Sequence, residues 1–124
     1  MSELLYRKET RRLIGLCMKI HHEPGKAHDE VIYQDALVEK LSRANVPFAR
    51  ENKYAVNCKG AISRHFYRAD FVVGDKILFE AKAVEQDAEA LVMRVLDYLA
   101  AAKLRLGLLV NFGADSLEWK GVIL

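Results

Sequence analysis

The sequence predicts an α/β domain in which a mixed β-sheet is flanked by helices, its elements in the order ααβββαββ. Three observations point there. Three segments carry apolar residues at helical spacing. Others are short runs rich in aromatic and β-branched residues. Near the C-terminus a strand–helix–strand step demands a parallel pair joined by a crossover. The 124 residues are 52% hydrophobic and 29% charged with two prolines, as expected of one domain over 1–124. No repeat, low-complexity tract or linker interrupts the order, and a chain of this length buries somewhat under about 70% of its unfolded surface, enough for a core without disulfides or a structural metal.

Each element has its own signal. Between Glu9 and His22, Leu13, Ile14, Leu16, Cys17, Met18 and Ile20 recur at helical spacing until Pro24-Gly25 breaks the pattern. From Ala27 to Ala44, Tyr33, Leu37, Leu41 and Ala44 form one stripe, with Asp29 and Glu30 in the first turn and Val46-Pro47 closing the segment. Phe48–Asn57 and Ile62–Val73 read as strands about a Lys59-Gly60 turn, and Gly74-Asp75 precedes a third strand over Ile77–Val84. Helical periodicity returns over Gln86–Ala102. Leu106–Asn111 is a continuous apolar run suited to a strand buried on both faces, and Leu117–Leu124 completes the sheet.

Charge and composition exclude several classes of function. A formal charge of +2 rules out a histone-like or polybasic mode of nucleic-acid binding, so any such contact must be local. No apolar run approaches the roughly 18 residues of a membrane span, which argues against a membrane partner. Met1–Arg12 lacks the apolar core of a secretory signal, and a cytoplasmic address follows by default. Cys17 and Cys58 have neither metal-ligand spacing nor a secreted context and read as reduced thiols.

Three acidic residues stand where apolar ones are expected. Glu30 lies three, seven and eleven residues before Tyr33, Leu37 and Leu41, in line with the buried face; it needs a partner there unless it sits half exposed at the helix start, where the dipole favours a negative charge. Asp70 and Glu80 interrupt hydrophobic strands. If Gly74, Asp75 and Lys76 form a three-residue loop, Val73 pairs with Ile77, Phe71 with Phe79, and Asp70 falls opposite Glu80 on one face. A two-residue turn would instead send the two carboxylates to opposite faces. Lys82, two residues beyond Glu80, returns to the same face. A buried salt-bridge network of these three would cost several kcal/mol in desolvation and is a weak stabilising device, so function explains it better. Oxygen donors without sulfur or clustered imidazoles suit Mg²⁺ or Mn²⁺ rather than zinc.

Asp70, then Glu80-Ala81-Lys82 across a hairpin, followed by a helix and a strand, resembles the PD-(D/E)XK nuclease signature. The neighbouring text is more specific: Ile20-His21, Gly25, Glu30-Val31-Ile32-Tyr33, Tyr67-Arg68-Ala69-Asp70, Phe79 to Glu85, Leu96-Asp97-Tyr98-Leu99 and Leu106 to Gly113. Together these resemble the GxxExxY protein family of the PD-(D/E)XK nuclease superfamily, from about Glu9 to Leu124. The chain departs from it at Lys26 and Ala27, where Pro and a second Gly are usual, and at Ala69, where the motif's proline is absent. Arg94 stands where such nucleases often carry a glutamine, and either contacts a phosphate or marks an altered active site.

The resemblance implies a restriction-endonuclease-like core and a Mg²⁺-dependent (or Mn²⁺-dependent) nuclease hydrolysing phosphodiester bonds, with DNA the first expectation over RNA. The alternatives are a catalytically inactive nucleic-acid-binding module and a protein-interaction subunit, including a homo-oligomer built through a sheet edge or the first helix. Asp70 and Glu80 would hold the metal, Glu30 would reach in directly or through water, and the Ala81 carbonyl could add a ligand. Lys82 would orient the attacking water or stabilise developing charge. Tyr33 reads as a packing residue whose hydroxyl supports the site.

The first hairpin carries Arg50, Lys53, Lys59, Arg64 and Arg68 against one acid, Glu51. Alternation places Arg64, Phe66 and Arg68 on the Asp70 face, so Lys53, Arg64, Arg68 and Arg94 are the candidate nucleic-acid contacts, unless the hairpin's charges merely protect a sheet edge. His21, His22 and His28 lack chelating spacing and read as solvated or capping residues.

Overall fold

The computed structural model describes residues 5–23, 28–58, 61–83 and 88–124, with side chains at 52, 55–58, 61–66 and 88 outside that description. The elements are α1 (Arg7–His22), α2 (Glu30–Arg43), β1 (Phe48–Cys58), β2 (Ala61–Val73), β3 (Ile77–Lys82), α3 (Ala88–Ala102), β4 (Leu106–Asn111) and β5 (Glu118–Ile123). The order is the expected ααβββαββ. The expected turns at Pro24-Gly25 and Lys59-Gly60 lie outside the described residues, as do Val84, Glu85 and Gln86.

The five strands follow one another across the sheet as β1-β2-β3-β4-β5. All neighbours are antiparallel except β3 and β4, which run parallel because α3 carries the chain back between them. Both are buried along their length save the last residue of each, Lys82 and Asn111. On one face α1 and α2 pack over Phe71, Val73, Ile77, Phe79, Ala81, Leu106, Leu108 and Val110; α3 covers Leu78, Leu109 and Val122 on the other.

The helices form for the reasons their sequences suggest. Leu13, Ile14, Cys17 and Ile20 make the buried stripe of α1, and Tyr33, Leu37 and Leu41 that of α2. α2 stops in a Schellman arrangement: Asn45 takes a left-handed φ of 57°, Val46 N–H donates to the Leu41 carbonyl at 3.0 Å, and Asn45 N–H donates to that of Ser42 at 3.2 Å. α3 approaches β4 over Gly107, where a Cβ would stand 2.5 Å from Val95 Cγ1.

The β2–β3 loop has three residues, Gly74, Asp75 and Lys76, so Val73 pairs with Ile77 and Phe71 with Phe79. Gly74 and Asp75 both have positive φ, 61° and 58°, and Lys76 N–H donates to the Val73 carbonyl at 3.2 Å. The turn thus has two left-handed central residues, as a type I′ turn does, with Lys76 added before pairing begins.

Candidate active site

The backbone is irregular where the site forms. Ala69 faces α3, whereas Phe71, two residues on, faces α1 and α2. In β1, Phe48 faces the α1–α2 core and Tyr54 the α3 core, although both are even-numbered. Strict alternation would keep each pair on one face. The change lies at Glu51 and Asp70, which stand opposite each other but do not pair, and Glu51 has a left-handed φ of 55°. Alternation therefore does not carry through Asp70, and Arg68 cannot be assigned its face by counting back two residues.

Side chains take over where the β2–β3 ladder ends. Continuing the register beyond Phe71 and Phe79 would next exchange hydrogen bonds between Ala69 and Ala81. Instead Ala81 N–H donates to Asp70 Oδ2 and Asp70 N–H donates to Glu80 Oε2, each at 2.8 Å. Each acid thus accepts a main-chain hydrogen bond from the opposite strand. Because N–H and C=O of a strand residue point to the same side, the Ala81 carbonyl faces the Asp70 side of β3.

Glu80 is 3% exposed and Asp70 is half-buried. Burial, and then the neighbouring Asp70 charge, raise the Glu80 pKa to about 8; burial also raises that of Asp70, against the Ala81 N–H and the Lys82 charge, which lower it. Two buried acids this close oppose each other's ionisation, and a cation beside them favours the charged form of both.

Lys82, at the end of β3, brings its ammonium to 3.9 Å from Glu30 Oε1, and its charge acts on both acids. Glu30 is half-exposed in the first turn of α2, close enough for its charge to raise Asp70 further. Both parts of the sequence expectation hold for Glu30: it has a partner and it sits at the helix start. Tyr33, one turn on, is fully buried, stacked on Phe112 with ring centroids 4.6 Å apart. Its hydroxyl accepts from His28 N–H at 3.4 Å.

Arg94 approaches from α3. Its Nε donates to the Tyr98 hydroxyl at 3.1 Å, which together with the Tyr98, Glu80 and Asp70 charges raises its pKa. The Arg94 charge in turn lowers Glu80. Tyr98, packed on Tyr67 with centroids 4.8 Å apart, is the positioning residue that sequence reasoning missed; its spacing of four from Arg94 on a helix was the available signal.

Lys53 and Arg68 are exposed and stand directly opposite each other on β1 and β2. Arg64 lies in β2, its side chain outside the described residues. Arg50, counted above among the hairpin's available basic residues, is held structurally: it is 2.8 Å from Asp35, 3.3 Å from Gln34 and over the Phe71 ring. His21 is likewise neither solvated nor a cap. Its Nε2 lies 2.8 Å from the Ala114 carbonyl, tying α1 to the segment after β4. His28 packs edge-on against Tyr33.

The residues gathered around the end of β3, two acids, a lysine and a nearby glutamate, fit the match between the chain and known proteins. A family model of the PD-(D/E)XK nuclease superfamily matches residues 7–122. The chain belongs to that superfamily. Among solved structures it is similar to the crystal structure of SSO0001, with a TM-score of 0.55 and 21% identity over 98% of this chain. The match spans 61% of that protein, and the likeness is one of fold. No curated protein matches the chain. The α/β arrangement is thus that of a restriction-endonuclease-like fold.

PD-(D/E)XK nucleases usually use divalent metal ions. Among the described residues no three His, Cys, Asp or Glu side chains gather closely enough to hold an ion by themselves. The donor set that fits is the Asp70–Glu80 pair with the Ala81 carbonyl: all oxygen, two of the three groups anionic, and one carboxylate buried with no ion-pair partner among the described residues. That chemistry suits a hard cation.

Proposed function

We propose that this chain is a divalent-metal-dependent nuclease that hydrolyses phosphodiester bonds, with DNA as the first substrate to test and Mg²⁺ or Mn²⁺ as the ion. The reading is carried by one observation: a buried glutamate and its aspartate neighbour are fixed side by side by main-chain hydrogen bonds, where burial and their mutual repulsion oppose a charge on both and a cation would favour it. Asp70, Glu80 and the Ala81 carbonyl would hold the ion, with Glu30 adding a donor directly or through water. When bound, such an ion supplies Lewis acidity to the scissile phosphate and acidifies water.

The chain's own groups do the rest. Lys82, whose ammonium lies 3.9 Å from Glu30 and whose charge acts on both acids, orients the attacking water and stabilises charge that develops on the phosphate. Arg94, steadied by Tyr98, offers a guanidinium to an adjacent phosphate. Lys53 and Arg68 are like charges directly opposed across two strands, an arrangement that costs stability unless an anion joins them. A nucleic-acid backbone crossing the hairpin supplies that anion.

The test is cleavage of single-stranded DNA, double-stranded DNA and RNA with Mg²⁺ or Mn²⁺, for the parent and for Asp70→Ala. Cleavage that requires metal and disappears in the variant supports the reading. A parent that binds nucleic acid yet cuts none of the three under either metal would make the chain a binding module instead.

A further inference from the structure

We propose that β5 is the contact through which two copies of this chain pair, edge to edge, into one continuous ten-stranded sheet. The inference is independent of the nuclease reading. β5 ends the sheet, and its outer edge carries main-chain groups that pair with no other described strand. Leu124 N–H donates to the Arg105 carbonyl at 3.0 Å, in register with the β4–β5 ladder. Even-numbered residues of β5 therefore direct their N–H and C=O toward β4, and Trp119, Gly121 and Ile123 direct theirs outward.

A two-fold axis through Trp119 makes that edge self-complementary. Trp119 of one copy then exchanges both main-chain hydrogen bonds with Trp119 of the other. On either side Glu118 meets Lys120 of the second copy, in positions where opposed side chains approach most closely. Neighbouring registers fail on charge: centring on Glu118 or Lys120 opposes like charges, and centring on Gly121 sets Lys120 against Val122 and Glu118 against Leu124. Among the described residues Glu118 and Lys120 have no ion-pair partner within their own chain, and both are exposed. Trp119 is 47% exposed. Lying opposite buried Val110, it stands on the α1 face, where it lines a 210 Å³ cavity with Arg7, Thr10, Arg11 and Gly121.

Sedimentation of the full chain reads the outcome. The parent is expected at about 28 kDa, twice the 14.1 kDa of one chain, at micromolar concentration. Glu118→Lys turns two attractive pairs into two repulsive ones and is expected to weaken association about tenfold or more. The double variant Glu118→Lys/Lys120→Glu restores it by exchanging the charges. Trp119→Cys places two thiols across the axis with Cα atoms about 5.5 Å apart, within disulfide reach, and is expected to yield a covalent dimer on oxidation. A parent that sediments as one chain overturns the proposal, as does a dimer indifferent to Glu118→Lys or not rescued by the charge exchange. Circular dichroism of each variant separates lost association from lost folding.

Discussion

Glu80 accepts, through Oε2, the main-chain N–H of Asp70 at 2.8 Å, so the more deeply buried acid of the pair is held by the backbone of the other. The hydrogen bond orients Glu80 without neutralising it. The pair is organised before any ion arrives, at a cost in stability that depends on whether Glu80 carries its proton.

The first prediction follows from that cost. Glu80 has an ordinary value near 4.5 when unfolded and about 8 when folded, so between these values the native protein holds more protons than the unfolded chain. Stability of the metal-free protein should therefore be highest at the acidic side of this window and fall as pH rises from about 5 to about 8. Thermal melts across that range should show Tm declining, and Glu80→Gln should flatten the profile and raise Tm at pH 8 while removing cleavage.

Added Mn²⁺ or Mg²⁺ should reverse the decline. An ion that binds only the folded chain stabilises it by mass action, and a cation favours the charged form of both acids. The rise in Tm on adding metal should be greater at pH 8 than at pH 5.5 and absent in Asp70→Ala. Calorimetric titration of the same two proteins gives an independent reading.

Lys82 and Glu30 should separate activity from stability. Their charges are 3.9 Å apart and partly exposed, so the pair is worth no more than about 1 kcal/mol. Lys82→Met should shift Tm only slightly yet reduce cleavage by about 100-fold or more. Glu30→Gln should leave the fold intact and cost less activity than Lys82→Met, which single-turnover kinetics can resolve.

Gly107→Ala tests the packing that carries α3 and Arg94. The added methyl would lie 2.5 Å from Val95 Cγ1, on a buried and stiff side chain. Denaturant unfolding should show a loss of about 1–3 kcal/mol. Val95→Ala in the same chain should recover part of it by opening the space.

The element order and the Asp70–Glu80 approach were legible because they depend on local patterns: apolar periodicity, and the count of residues between Val73 and Ile77. The face reversal at Asp70 was not legible. It depends on Glu51 adopting a left-handed φ, which glycine would have signalled and glutamate does not. The engagement of Arg50 with α2 and of His21 with Ala114 required knowing which elements pack together, and helical spacing alone contains no such information.

The loop Gly74–Lys76 acts as a ruler for chemistry that it does not touch. Closed instead by a two-residue Gly74-Asp75 turn, the same residues would pair Val73 with Lys76, and Asp70 and Glu80 would look to opposite sides of the sheet. A relative retaining every acid and the lysine, but closing this hairpin in the other register, would lack the paired acids on which the proposed chemistry rests. In such a lineage the proposed activity would be lost at the turn of a hairpin while every charged group remained in the sequence.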